Sequence, residues 1–259
     1  MRKTILDIKN IICIAILVLT SVLTAQAQNV DTLFSRGNTA YKNGDYQSAA
    51  ESYQTILSAG YHSAELYNNL GNAYYRLGYI APTILAYERA ALLDPSDKDI
   101  EHNLTMARRK TTDNIVPLDA SLTSRVWEAM VSMFTACTWG VITIVFLWVS
   151  GILFVLFLYG GNVGVRRTSF YLFIISIVLS GIFYAMNRSA HDRTNDCPYA
   201  ILTATNVTVK SEPSDVGGDA FSIHEGAKFA IEETLDDWYK IRLADGKTGW
   251  LPIWAAEKI

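Results

Sequence analysis

The sequence predicts a multidomain chain: an all-α repeat pair with a capping helix, a two-helix transmembrane hairpin, and a small all-β barrel. Three observations carry that prediction. Gly37, Tyr41, Gly44 and Tyr53 recur 34 residues later as Gly71, Tyr75, Gly78 and Tyr87, a fixed period that marks stacked helical repeats. Two uncharged apolar runs follow, each close to the ~20 residues needed to cross a hydrocarbon layer. Past Met186 the chain turns to short β-branched and aromatic runs broken by Ser-Glu-Pro, Gly-Gly and Asp-Gly, the pattern of strands and turns. Composition agrees, since 259 residues that are 50% hydrophobic and only 18% charged are too apolar for one ordinary soluble domain.

Taken in order, residues 1–27 read as a signal peptide. Arg2, Lys3 and Lys9 precede an uncharged run from Ile11 to Leu23, and Ala25-Gln26-Ala27 supplies a small-x-small cleavage site. Cys13 lies too early in it for lipid attachment. An uncleaved anchor would leave the following domain on the same side of the membrane.

Residues 28–112 hold the repeats, 30–63 and 64–97, and a capping helix. Each copy reads as two antiparallel helices, with Leu66, Leu70, Ala73 and Tyr74 on one and Ile84, Tyr87, Ala90 and Ala91 on the other at helical spacing. Gly44 and Gly78 fall where the first helix of each copy must end in a left-handed residue, and Asp94-Pro95 closes the second copy. A third helix near Ile100 to Lys110, with Leu104 and Ala107 inward, covers the face that a short stack leaves exposed. These residues resemble the tetratricopeptide pattern: Leu70, Gly71, Tyr74, Thr83, Tyr87, Ala90 and Pro95 match it in copy two. Copy one keeps Gly37, Ala49 and Tyr53 but has Ala40 where an aromatic is usual and Tyr61 in place of the terminal proline.

Residues 113–136 form a linker and an interfacial helix, because Leu122, Val126, Met130 and Phe134 share one face; the same residues also suit the first turns of a long tilted span. Spans are expected at 137–160 and 168–187, joined by a cytoplasmic loop at 161–167 that carries Arg166 and Arg167 in line with the positive-inside rule. Ser150, Gly151, Ser176, Ser180 and Gly181 are small enough to let the spans approach. Neither span carries an acidic, basic or histidine side chain, which argues against an ion or proton path. Cys137 and Cys197 both fall near the outer face, where a disulfide and two separate thiols are both compatible with an oxidising compartment.

After a linker at 188–198, residues 199–259 form the barrel. Candidate strands are 200–203, 207–210, 228–233, 239–242 and 248–251, with a short closing strand near Glu257 and a hairpin turn at Asp245-Gly246. The stretch resembles bacterial SH3-like domains through Val207, Val209, Ser211, Pro213, Glu225, Gly226, Trp238, Lys240, Ile241, Gly246, Gly249, Trp250 and Pro252. That resemblance implies a peptide- or cell-wall-binding role, for which Trp238, Tyr239 and Trp250 form a candidate aromatic groove. Trp250 is equally suited to the core of so small a barrel.

Nothing in the sequence carries a catalytic set, and no cofactor is implied. His62, His102, His191 and His224 fall in separate segments without metal-ligand spacing. Residues 28–119 carry eight Lys and Arg against eleven Asp and Glu, and residues 192–259 carry seven against twelve, so nucleic acid and anionic lipid surfaces are poor ligands. The candidate ligand surface is the repeat groove, set by Phe34, Asn38, Tyr41, Asn69, Asn72 and Tyr75, with Asn68 beside them and His102, Asn103 and Met106 on the cap. Asparagine amides donate and accept together, which suits an extended peptide backbone. Asn38 and Asn69 resemble the clamp of chaperone-binding repeat proteins, but Phe34, Asp99 and Asn103 occupy its cationic positions.

The order of parts, with the stretch from Asp99 to Lys110 and Ser124-Arg125-Val126-Trp127, resembles the BatE-type family of the Bacteroides aerotolerance (Bat) group. A signal peptide and two crossings lead us to expect an integral inner-membrane protein with both soluble domains in the periplasm. The resemblance implies a component of an envelope complex linked to oxygen or stress tolerance, with other proteins of that group as partners; the groove and the lack of a catalytic set lead us to expect a non-enzymatic scaffold that binds exported or membrane proteins. The alternative expectation is a sensor that binds peptidoglycan through the barrel.

Overall fold

The computed structural model describes residues 30–113, 115–116, 121–195 and 198–259. The expected signal peptide and Cys197, with its conceivable pairing to Cys137, lie outside the described residues. The chain divides into two compact units, one ending at Tyr79 and the other running from Ile80 to Ile259.

The first unit is three helices: α1 at 30–42, α2 at Tyr46–Ser58 and α3 at Ala64–Leu77. Gly44 turns the chain after α1 at φ +82°, and the Asp45 carboxylate accepts the Ser48 N–H at 3.1 Å to cap α2. The Ser63 hydroxyl caps α3 by the same logic, accepting the Leu66 N–H. Gly78 ends α3 in the left-handed region. Both α2 and α3 are amphipathic: Ala49, Ala50, Tyr53 and Ile56 are buried on one, and Leu66, Leu70 and Ala73 on the other, where the two helices pack together.

The second unit opens with α4 (Ile80–Leu93) and α5 (Lys98–Arg108). Helix α4 buries every residue from Thr83 to Glu88, as well as Ala81 and Ala90, and a helix buried all round must be covered on every side. On one flank lies α5, which buries Ile100, Leu104 and Ala107. On another lies the C-terminal β module.

That module is a seven-stranded antiparallel sheet in the order β3-β2-β6-β5-β4-β1-β7. Its strands are β1 Tyr199–Leu202, β2 Asn206–Lys210, β3 Asp219–His224, β4 Lys228–Leu235, β5 Trp238–Leu243, β6 Thr248–Pro252 and β7 Ala256–Lys258. One cluster gathers Leu202, Val209, Ile223, Phe229, Ile241 and Leu251 from six strands. A flat sheet cannot bring six strands into one cluster, so this one curls around its core. The strand β3 was not among those expected from sequence. Between Gly217-Gly218 and the Glu225-Gly226 turn, DAFSIH offers only Phe221 and Ile223 to the core face, too few for a period of two to stand out.

Four contacts fix the β module to the helices. Gly226, at φ +83°, brings its turn so close to α4 that a Cβ would meet Ile84 Cδ1 and Thr111 Cγ2 at 2.9 Å. The Glu88 carboxylate, only 5% exposed, accepts from Lys228 Nζ at 2.7 Å and from Arg108 of α5. Arg89 donates to Glu257 Oε1 at 2.9 Å and to the Lys258 carbonyl at 2.7 Å. Asp113 accepts the His224 backbone N–H at 2.6 Å and pairs with its ring Nδ1 at 2.8 Å.

Helix α6 (Leu122–Val131) is separate from α7 (Ala136–Tyr159), which starts afresh on a Thr135 cap. Leu122, Val126, Met130, Met133 and Phe134 form an exposed apolar stripe at this junction. Both α7 and α8 (Val163–Asn195) are long and apolar enough to cross a membrane. Their contact is stitched by side-chain donors to backbone carbonyls: Ser176 to Phe146 O at 3.0 Å, Ser180 to Thr143 O at 3.3 Å and Asn187 to Ala136 O at 2.6 Å. Ser150, Ser176 and Ser180 are buried there, whereas Gly151 and Gly181 face open space. Hydroxyls rather than these two glycines serve the approach; the glycine that does is Gly140, whose Cβ would crowd Asn187 Nδ2 at 3.2 Å.

The turn between the two helices is shorter than the expected 161–167 loop. Asn162 accepts the Val165 N–H at 2.8 Å, so α8 begins at Val163 and takes Arg166 and Arg167 into its first turns. Arg166 then donates to the Phe157 carbonyl at 3.1 Å. Helix α8 also continues through much of the expected 188–198 linker.

Candidate functional site

Helix α1 supplies one wall of a polar cavity of about 260 Å³, lined by Asn38, Tyr41, Lys42, Tyr53, Asn69 and Asn72. Its geometry starts from a glycine. A Cβ on Gly37 would lie 2.6 Å from Tyr53 Cε1, so only glycine lets the ring of Tyr53, 1% exposed, slide under α1. There the Tyr53 hydroxyl donates to Asn38 Oδ1 at 2.7 Å, and Asn69 Nδ2 approaches the same oxygen at 3.4 Å.

This arrangement orients two amides. Asn38 spends its carbonyl on Tyr53 and Asn69, which leaves its Nδ2 as the donor side. Asn69 uses one of its two Nδ2 hydrogens in that contact and keeps the other beside its carbonyl acceptor. A donor beside an acceptor is the complement of a peptide unit. Lys42 stands one helical turn beyond Asn38, is exposed, and adds a cation that forms no ion pair among the described residues.

Burial pushes the Tyr53 phenol up to about 12, with Tyr41 and Glu65 adding in the same direction; the group therefore stays a donor at any working pH. At the rim, a hydrogen bond to Tyr41 raises the pKa of Arg76, whose guanidinium also sits 5.8 Å from the Tyr46 ring centre. Tyr41 and Tyr46 meet edge to face at 5.2 Å.

Of the six groove residues expected from sequence, the cavity thus gathers Asn38, Tyr41, Asn69 and Asn72. Phe34 instead packs on Tyr53, with ring centres 5.9 Å apart, and neither it nor Tyr75 lines the cavity. His102, Asn103 and Met106 lie on α5, in the second unit. Lys42 and Tyr53 were missed as site residues. The spacing of four between Asn38 and Lys42 was the available signal for the first; Tyr53 was read only as a repeat position.

The three aromatics expected to form one groove on the β module do not share a face. Register pairs Trp238 with Pro252, Tyr239 with Leu251, and Lys240 with Trp250. Strand alternation then sends Tyr239 into the core, 8% exposed, while Trp238, Trp250 and Pro252 lie on the outer face. Trp254, which follows on a short 3-10 turn, is 74% exposed. Among the described residues no group of three His, Cys, Asp or Glu side chains is placed to hold a metal ion.

Residues 64–97 match the tetratricopeptide repeat family, which covers α3 and α4. Repeats of this kind are characteristic of protein-interaction scaffolds. No curated protein shows significant similarity to the chain.

Proposed function

We propose that this protein is a non-enzymatic, membrane-anchored scaffold whose repeat groove binds an extended segment of an exported or membrane protein. The observation that carries this reading is the pair of amides Asn38 and Asn69 on the wall of one cavity, the first anchored by the Tyr53 hydroxyl and the second leaning on the first. A side-by-side donor and acceptor recognises a backbone irrespective of sequence, and Lys42 favours a partner with an acidic group about one residue further on.

The two apolar helices support an anchor in the inner membrane. The sequence resemblance to the Bat group supports a place in an envelope complex linked to aerotolerance or stress, with both soluble parts in the periplasm. In-cell crosslinking of the full-length chain tests the groove. Partners captured by the wild type are lost in Asn69→Ala and in Lys42→Glu; unchanged recovery from both variants sinks the assignment. Asn38→Ala is less informative, because it also strips the partner from the Tyr53 hydroxyl.

A second docking surface is favoured by the outer face of the β module, where Trp238 pairs with Pro252 and Trp250 lies on the same face, with the exposed Trp254 two residues further along the chain. With the SH3-like resemblance, this supports the alternative reading of a peptidoglycan-binding sensor. Pelleting of the intact protein with purified cell wall, compared with Trp254→Ala and Trp250→Ala, separates the two: wall binding lost in these variants favours the sensor, and none at all favours the scaffold.

A further inference from the structure

We infer that the outer face of β2, β6 and β5 binds an extended acidic segment of a partner protein, in which a carboxylate stands two residues from an apolar side chain. The inference deepens, and rests on, the second docking surface described above.

Strand register builds the face. Lys210 of β2 lies opposite Trp250 of β6, which lies opposite Lys240 of β5. Alternation places these three on one outer rung, while Val209, Leu251 and Ile241 go to the core. The two lysines thus flank Trp250, their backbones about 10 Å apart at the usual strand spacing. Two residues further along β5 and β6 lies an apolar rung of Leu235, Trp238 and Pro252, with Leu235 43% exposed.

The uncommitted polar groups on these rungs are donors. Lys240 forms no hydrogen bond among the described residues, and its ion pair with Glu233 spans 3.9 Å. Lys210 donates to Asp219 Oδ1 at 2.7 Å and to the Gly217 carbonyl at 3.3 Å, which leaves one of its three hydrogens over. The indole N–H groups of Trp238 and Trp250 donate to no protein atom among the described residues. Other cations of the module are engaged elsewhere: Lys228 with Glu88, Arg242 with Glu232, Lys247 with Asp245, and Lys258 over the Tyr239 ring. Donors beside a loosely held ammonium complement a carboxylate. A neutral glycan would also need acceptors for its hydroxyl hydrogens, and the acceptors of this rung, Glu233 and Asp219, already face lysines.

Spacing selects the sequence. Side chains on one side of an extended peptide recur every two residues, about 6.5–7 Å, which is also the step between the two rungs. A peptide lying along β5 and β6 with its carboxylate at Lys240 therefore sets an apolar side chain on Trp238 and Pro252.

The test uses the full-length protein in a mild detergent, with Lys42→Glu in every sample to remove the cation of the repeat groove. Short immobilised peptides carry Glu two residues from Val, Glu next to Val, or Lys two residues from Val. The first is retained most strongly. Lys240→Glu weakens that retention about tenfold, the scale of one charge-assisted hydrogen bond; Lys240→Arg keeps it, and Lys247→Glu in the β5–β6 turn leaves it unchanged. Equal retention of either other peptide, or of the first peptide after Lys240→Glu, overturns the inference. Purified cell wall is run alongside. Wall binding that requires Trp254, with no peptide retained, overturns the acidic segment and leaves the docking surface standing, whereas retention of neither removes the surface as well.

Discussion

Replacing Gly37 by alanine sets two effects of opposite sign against each other. Alanine is favoured over glycine inside a helix by about 0.8–1 kcal/mol, so a bare propensity argument predicts stabilisation. The structure predicts the reverse. The new Cβ would sit 2.6 Å from Tyr53 Cε1 and 3.0 Å from Cδ1 and Cζ. The ring is fully buried and its hydroxyl is tethered to Asn38, so it cannot swing aside without losing that bond. Overpacking of this kind costs roughly 1–3 kcal/mol, and the broken hydrogen bond costs about 1 kcal/mol more. The net loss is therefore about 1–3 kcal/mol. Hydrogen exchange of peptides spanning 30–58 in the full-length protein reads it, as roughly tenfold faster exchange for each 1.4 kcal/mol. Tyr53→Leu supplies the control, because a smaller side chain makes room and Gly37→Ala should become neutral or stabilising in that background. Stabilisation of the wild type by Gly37→Ala, or an equal cost in both backgrounds, would refute the close-approach argument.

Three further outcomes follow from the same contacts. Tyr53 has its folded-state pKa raised from 10.0 to about 12, so its contribution to stability is complete below pH 10 and is lost as pH rises to about 12, the unfolded chain ionising first; urea unfolding across that window should show a steeper alkaline loss in wild type than in Tyr53→Phe, and equal slopes would contradict it. Gly226→Ala combines left-handed strain of about 1–2 kcal/mol with the clash against Ile84 and Thr111, whereas Gly78→Ala, with nothing within 4 Å, meets only the strain; limited proteolysis between Arg108 and Tyr199 should accelerate in the first variant and not in the second. Glu88→Gln keeps the shape but removes the charge shared by Arg108 and Lys228, and because those cations are 49% and 32% exposed and regain water, the expected loss is only about 1–2 kcal/mol; a thermal midpoint unchanged within error would show that the pair of bridges contributes nothing.

The legible parts of this chain were those that repeat or run long. A 34-residue period, two uncharged spans and alternating strands are local patterns, and each survives into the structure as helices, apolar helices and an antiparallel sheet. The junctions were not legible. Glu88 meets Lys228 and Asp113 meets His224 across more than a hundred residues of sequence, and no local rule pairs them. One clue was present: the eight residues from Ile80 to Tyr87 carry no charge, so more than one face of this helix asks for cover. The aromatic groove failed for a reason of parity, since adjacent residues such as Trp238 and Tyr239 must point to opposite faces of a strand. The orientation of Asn38 was hidden too, because it depends on a tyrosine fifteen residues away sliding beneath a glycine.

Helix α8 is 33 residues long, about 50 Å at the α-helical rise against a hydrocarbon layer of about 30 Å. Its surplus length is also a matter of azimuth. One end is indexed to α7 by Ser176, Ser180 and Asn187, while the β module just beyond its other end is indexed to α4 by Gly226 and Glu88. Inserting one residue between Met186 and Asn187 would rotate the rest of the helix by about 100° and lift it by about 1.5 Å, taking Asn187 off the Ala136 carbonyl and Ala190 off the cluster it shares with Val131 and Trp139. A seven-residue insertion, close to two whole turns, nearly restores the phase but carries those contacts about 10 Å along the axis. The stretch after Met186 is thus a keyed shaft, set by the number of its residues as much as by their identity.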